Sequence, residues 1–197
     1  MFTGIVETLG EIVSVEWVDK NIQLWIQSDF NHELKIDQSI AHNGIWLTID
    51  ANEETKYRVT AIDETIQKTN LNQWKLGRKI NLERCLTLAH RIDGHIVQGH
   101  VESKGICTGI ETKNGSTEFT FQYPIEFAKY LIEKGSICID GISLTCHTLI
   151  ENTFKVSIIP YTLEHTNASQ WEFETIVNLE FDIIGKYIYR NIELNNL

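Results

Sequence analysis

The sequence predicts an all-β protein made of two copies of one small closed barrel. Two observations predict it: an internal repeat that runs through the chain, and short β-rich runs separated by turn residues. YRVTAIDETIQKTNLNQWKLGRKINLE (57–83) aligns without a gap with FKVSIIPYTLEHTNASQWEFETIVNLE (154–180), at an offset of 97. Ten of the 27 positions are identical, among them Thr65/Thr162, Asn70/Asn167, Trp74/Trp171, Asn81/Asn178 and Glu83/Glu180. The same offset pairs SIAHNGIWLTI (39–49) with SICIDGISLTC (136–146), and FTGIVETLG (2–10) pairs with VQGHVESKG (97–105) at an offset of 95. Three blocks in one order mean a duplicated domain, since a solenoid needs more and shorter units.

The elements follow in order. ETLGEIVSVEWVDKNIQLWIQS holds β-rich runs broken by polar turns, and KYRVTAID and TFKVSIIP alternate apolar and polar residues. Asn114-Gly115 reads as a turn leading into the strand STEFTFQY. Several short strands in about 90 residues suggest a barrel, because closure removes exposed sheet edges. Pro124 opens a predicted helix, IEFAKYLIEKG, with Ala128, Leu131 and Ile132 on one face and Gly135 at its end. A shorter counterpart is expected around Asp29 to Leu34. The junction between units falls near Gly94 to Ile96, with no Pro/Ser-rich linker, which gives expected units of 1–95 and 96–183. The tail from 184 to 197 has no counterpart in the first half. Ile184, Tyr187, Ile188 and Ile192 share a helical face there, which packs either on its own barrel or on neighbouring chains.

Bulk properties exclude several classes. The formal charge of −10 disfavours nucleic-acid binding. No apolar run approaches a membrane span, and MFTGIVETLG lacks the basic start of a secretory signal. A cytoplasmic protein is expected, with Cys85, Cys107, Cys138 and Cys146 reduced. None forms a CxxC pair or a zinc spacing.

The repeat duplicates a candidate site, and its differences mark chemistry. The second half has His100 where the first has Ile5, Ser143 where the first has Trp46, and Asp182 where the first has Cys85. His, Ser and Asp in one half alone suggest proton transfer. His95 and His100 could instead ligate a metal, although no third ligand cluster is evident. Ser143 in G-I-S-L-T is not the G-x-S-x-G nucleophile elbow of hydrolases.

MFTGIVE, AHNG-x-x-LT, DGHIVQGHV and IDGISLT, in that order, resemble riboflavin synthase from residue 1 to about 185. The resemblance implies two six-stranded Greek-key barrels and a C-terminal helix that holds a homotrimer. It implies a transferase of riboflavin biosynthesis that acts without cofactor or metal. Two molecules of 6,7-dimethyl-8-ribityllumazine exchange a four-carbon unit, giving riboflavin and 5-amino-6-ribitylamino-uracil. A lumazine synthase shell is a further partner the family suggests.

Carried over by residue, a first pocket takes Gly4, Ile5 and Val6, then Trp46, Leu47 and Thr48. Thr60, Ala61, Ile62, Asp63, Glu64 and Thr65 complete it. A second takes Gly99, His100 and Val101, then Lys134, Ser143, Leu144 and Thr145. Ile158, Ile159, Pro160, Tyr161, Thr162 and Leu163 complete that one. His100, Ser143, Thr145 and Asp182 are the implied catalytic groups, near the C7 methyl of one molecule and C7 of the other. The family usually has cysteine where this chain has Trp46. A lumazine- or flavin-binding protein of the same fold, without turnover, is the alternative reading.

Overall fold

Twelve strands form two closed antiparallel barrels in the computed structural model, which describes residues 1–89 and 91–195. The first barrel contains β1 (Thr8–Val18), β2 (Asn21–Gln27), β3 (Ser39–His42), β4 (Ile45–Asn52), β5 (Lys56–Ala61) and β6 (Lys79–Arg84). They close in the order β1-β2-β5-β4-β3-β6. The second contains β7 (Ser103–Lys113), β8 (Ser116–Gln122), β9 (Ser136–Ile139), β10 (Ile142–Ile150), β11 (Thr153–Ile158) and β12 (Ile176–Phe181). These close in the equivalent order, with β7 between β8 and β12.

Strand alternation sets each core. On β2, Ile22, Leu24 and Ile26 turn inward, and on β5, Tyr57, Val59 and Ala61 do the same. The second barrel is more aromatic: Phe119 and Phe121 meet Trp171 edge-on at 5.3 Å. Short helices α1 (Asp63–Lys68) and α2 (Pro160–His165) follow β5 and β11 at equivalent places.

The helix expected after Pro124 is a correction. Ile125–Tyr130 forms only a 3-10 turn, and Leu131 is already extended. Leu131 is buried while Ile132 is exposed, so the inferred shared face does not exist. The barrel wall, not an apolar helical stripe, decides which side chain is covered. The first-half counterpart is a 3-10 turn at Asn31–Glu33.

The terminal helix, α3 (Ile183–Asn195), leaves Ile184, Tyr187, Ile188 and Ile192 exposed; residues 196 and 197 of the expected tail lie outside the described residues. It meets its own barrel through Lys186–Glu102 (2.8 Å) and the Tyr189–Tyr130 edge contact. The four cysteines are free.

An asparagine network joins the barrels. Asn81 N–H donates to Asn43 Oδ1, and Asn178 N–H donates to Asp140 Oδ1, within each barrel. Across the interface Asn167 N–H donates to Asn81 Oδ1 (2.7 Å) and Asn70 N–H to Asn178 Oδ1 (2.8 Å). The turns at Gly44 and Gly141 pass so close that a Cβ on either would lie 2.9 or 2.8 Å from the other's backbone nitrogen. All six network residues are buried, which explains their recurrence: each satisfies a polar group that water cannot reach.

Asp140 breaks the symmetry, since its counterpart is Asn43. Burial raises its carboxyl from an ordinary 3.8 to about 6, against donors from Asn178 and Asn167. The folded chain therefore holds this proton more tightly than the unfolded chain. Its contribution to stability falls as pH rises from about 4 to about 6 and is flat above. Asp140→Asn removes the titration. Urea unfolding should show the stability of wild type relative to Asp140→Asn falling by up to about 3 kcal/mol between pH 4 and pH 7; a constant difference would contradict the assignment.

Candidate functional site

Each barrel is preceded by a lead-in segment, residues 1–7 and 96–102, and the two segments pair. Phe2 N–H donates to the Val97 carbonyl (2.7 Å) and Val97 N–H to the Phe2 carbonyl (3.0 Å). A buried glutamate on each barrel's last strand holds its own lead-in. Glu83 accepts from Thr3 N, Thr3 Oγ1 and Gly4 N at 2.6–2.9 Å. Glu180 accepts from Gln98 N, Gly99 N and His100 N over the same distances. Burial pushes both carboxyls up, and the N–H donors pull them down.

Held this way, each lead-in reaches the opposite barrel. Ser143 N–H, on β10, donates to the Gly4 carbonyl (2.7 Å), and Trp46 N–H, on β4, donates to the Gly99 carbonyl (3.0 Å). Gly4 and Gly99 have φ of 76° and 82°, in the left-handed region. A Cβ on Gly4 would lie 2.7 Å from Ser143 Cβ, and one on Gly99 2.7 Å from Trp46 Cβ.

Two cavities result, and each combines parts of both halves. The larger, about 460 Å³, is lined by Gly4, Ile5 and Val6 together with Ser143, Tyr161 and Thr162. The smaller, about 310 Å³, is lined by Gly99, His100 and Val101 together with Trp46, Glu64 and Thr65. This corrects the sequence-based grouping, which put each lead-in with its own barrel. The physical reason is the pair of crossing hydrogen bonds: nearness along the chain is not nearness across the Phe2–Val97 pairing.

The cavities share a frame and differ in side chains. Thr162 and Thr65 occupy equivalent places, and each carbonyl accepts a helix-ending threonine hydroxyl, from Thr166 or Thr69, at 2.7 Å. Tyr161 stacks on His165 (4.1 Å) at the larger cavity, where Glu64 pairs with Lys68 (2.7 Å) at the smaller. His165, Lys68 and the two clamping glutamates escaped the sequence reading, although NLE at both repeat ends marked Glu83 and Glu180. Trp46 is stacked on His100 (5.9 Å, 20° between planes), with the edge of Phe2 at 5.7 Å.

The other expected site residues divide. Leu47, Ala61 and Ile158 are buried in the barrel cores, and Leu144 and Leu163 pack against the second core. Thr48 and Thr145 stand exposed on the outer faces of β4 and β10, Thr48 within 3.3 Å of Ser39 Oγ. The Thr60 hydroxyl donates to Asp50. Ile62, Asp63, Ile159 and Pro160 are exposed at the starts of α1 and α2. Lys134 is exposed in the turn before β9, its N–H bonded to the Cys146 carbonyl.

The four expected catalytic groups do not surround one point in a single chain. Ser143 borders the larger cavity and His100 the smaller. Thr145 is two residues along β10 from Ser143. Asp182 accepts from Ile184 N–H (2.9 Å) at the head of α3. Among the described residues no three His, Cys, Asp or Glu converge to hold a metal ion.

The lumazine binding domain model matches the chain twice, over residues 3–85 and 98–182. The riboflavin synthase of Bacillus subtilis is 38% identical over 100% of this chain and 92% of its own length. That of Mycobacterium tuberculosis is 37% identical over 96% and 97%. The chain belongs to the riboflavin synthase family. Its full-length relatives are enzymes of riboflavin biosynthesis, and it is an enzyme of this family. The fold agrees with solved structures of LumP: a complex with riboflavin (TM-score 0.86, 20% identity, 92% of this chain and 99% of that one) and one with 6,7-dimethyl-8-(1'-D-ribityl) lumazine (0.82, 21%, 91% and 98%). In riboflavin synthase family terms, the two model matches are the two barrels with their lead-ins.

The Gly4 contact can be separated from its backbone strain. Gly115 also has a left-handed φ, of 90°, but an added Cβ there meets nothing within 4 Å. Gly115→Ala should cost only the strain, about 1–2 kcal/mol. Gly4→Ala should cost visibly more, because the Ser143 backbone must move. Urea midpoints of the two variants check this; equal losses would show that the lead-in yields freely.

Proposed function

We propose that the chain is a riboflavin synthase that converts two molecules of 6,7-dimethyl-8-ribityllumazine into riboflavin and 5-amino-6-ribitylamino-uracil. One observation carries the reading: two cavities built on one duplicated glycine–threonine frame, which differ at the places where chemistry is needed. A dismutation of two like molecules calls for two like pockets whose polar groups differ. Ser143 against Trp46, and His100 against Ile5, supply that difference.

The larger and smaller cavities are the two half-sites, and those that work together belong to neighbouring protomers of a homotrimer. Holding two ring systems face to face provides proximity and orientation, for which effective molarities are worth about 7–11 kcal/mol. Ser143 and His100, with Thr145 and Asp182, assist loss of a proton from the C7 methyl of one molecule and addition at C7 of the other. Lumazine synthase is a proposed partner of the trimer.

The uncovered face of α3 supports the trimer. Four apolar side chains there are more than half exposed, and a groove of about 300 Å³ runs beside the helix between Tyr130, Ile132 and Ile188. Truncation after Asp182 should give monomers in sedimentation velocity; an intact trimer would place the contact elsewhere.

A specific observation favours the second reading, a ligand-binding protein without turnover. Trp46 lies on His100 in the smaller half-site, where the family usually has cysteine. Incubation with the lumazine, followed by riboflavin absorbance, separates the two: steady formation supports the enzyme, and binding without formation supports the binder. Trp46→Cys should raise turnover at fixed substrate, by about 5- to 150-fold if the indole costs the half-site about 1–3 kcal/mol. An unchanged rate and unchanged two-site binding would mean that the indole moves aside freely.

A further inference from the structure

His95 lies in the segment joining the barrels, outside every strand. Its N–H donates to the Thr3 carbonyl (3.1 Å), which ties it to the first lead-in. Its side chain is buried, and Nδ1 stands 2.7 Å from Ser143 Oγ. Ser143 thus meets the first lead-in through its N–H at Gly4 and the joining segment through its hydroxyl at His95. Gly94 closes the space beside it, since a Cβ there would fall 2.9 Å from Ser143 Cβ. Trp46, the equivalent residue at the smaller cavity, meets Phe2 and His100 instead.

We propose that His95 is a positioning residue for the reaction, fixing the Ser143 hydroxyl so that a defined end of its dipole faces the larger half-site. This rests on the reading under Proposed function and deepens it. Burial pushes the imidazole below its ordinary value, and the Asp182 carboxylate opposes that in part. The ring is therefore neutral at pH 7 and carries one N–H. With the hydrogen on Nε2, Nδ1 accepts the Ser143 O–H, and the oxygen lone pairs are free toward the cavity. With it on Nδ1, the ring donates, and the hydroxyl hydrogen is free toward the cavity. A serine without this partner rotates among orientations, and only some of them suit a ligand that must lose and regain protons. Asp182, outside both cavity linings, acquires a part here through its field on His95.

The experiment compares wild type, His95→Phe, His95→Asn, Ser143→Ala and the double variant His95→Phe/Ser143→Ala. Riboflavin formation gives kcat and KM, and proton NMR in D2O gives deuterium exchange into the C7 methyl of the lumazine. His95→Phe should lower kcat and methyl exchange by at least about tenfold, short of the full loss typical of removing an acid–base group itself, with KM within threefold. His95→Asn, which keeps a short polar side chain, should recover part of the rate. The double variant should be no slower than Ser143→Ala, because His95 acts only through Ser143. A His95→Phe rate within twofold of wild type would overturn the proposal, as would a double loss equal to the product of the single losses. If thermal unfolding shows that His95→Phe does not fold, His95→Gln is read by the same limits. A wild-type chain that binds the lumazine without turnover overturns the enzyme reading; turnover indifferent to His95 overturns this inference alone.

Discussion

Two backbone hydrogen bonds, from Ser143 N–H to the Gly4 carbonyl and from Trp46 N–H to the Gly99 carbonyl, hold each lead-in against the opposite barrel. Both cavities depend on them. Each bond needs a glycine carbonyl presented by a left-handed backbone and a strand start that approaches without a Cβ between. Each also needs the lead-in held still, which Glu83 and Glu180 do by accepting three N–H or O–H donors apiece. A buried carboxylate is costly to desolvate, and these spend that cost on fixing the segments that carry Ile5 and His100. Because the two barrels exchange these contacts, neither half contains a complete cavity. Duplication and site are therefore one structural fact.

Much of the fold was legible in the sequence because the residues that join the barrels are themselves repeated. Asn70/Asn167, Asn81/Asn178 and Glu83/Glu180 recur because each satisfies an equivalent buried polar group in its own half of the joint. The strands were legible from alternation. The helix after Pro124 was not, because the apolar residues there face a curved barrel wall, which a linear stripe does not describe. Some residues lining the two cavities were singled out one by one, but His165 and Lys68 were not, and neither was the grouping. Spacing along the chain says which residues precede a barrel, and it is silent on the Phe2–Val97 pairing that sends each lead-in across. His95 was visible only as a histidine in DGHIVQGH, with nothing in the sequence to join it to a serine 48 positions later.

The symmetry is broken at a few places only. Asp140 replaces asparagine in the interface, which gives the joint a titrating group and a second acceptor, Oδ2, that takes the Asn167 side-chain amide. Ser143 with His95 at the larger cavity faces a different chemistry from Trp46 with His100 at the smaller. Under the proposed reaction, the frame would hold two similar molecules in similar poses, and the substituted side chains would let them play different parts. That division suits a reaction in which one molecule gives four carbons and its twin accepts them. In one protomer Ser143 and His100 border separate cavities, so the proposed reaction calls on a neighbouring protomer, for which the uncovered stripe of α3 is the proposed surface.

The central claim is that each half-site is built from one barrel's lead-in and the other barrel's strand. A crystal structure of the chain with a non-reacting analogue of 6,7-dimethyl-8-ribityllumazine tests it most directly. One ligand should lie between Gly4, Val6, Ser143 and Thr162, and a second between Gly99, Val101, Trp46 and Thr65. A ligand enclosed by Gly4 and Trp46 together, or by Gly99 and Ser143, would contradict the account.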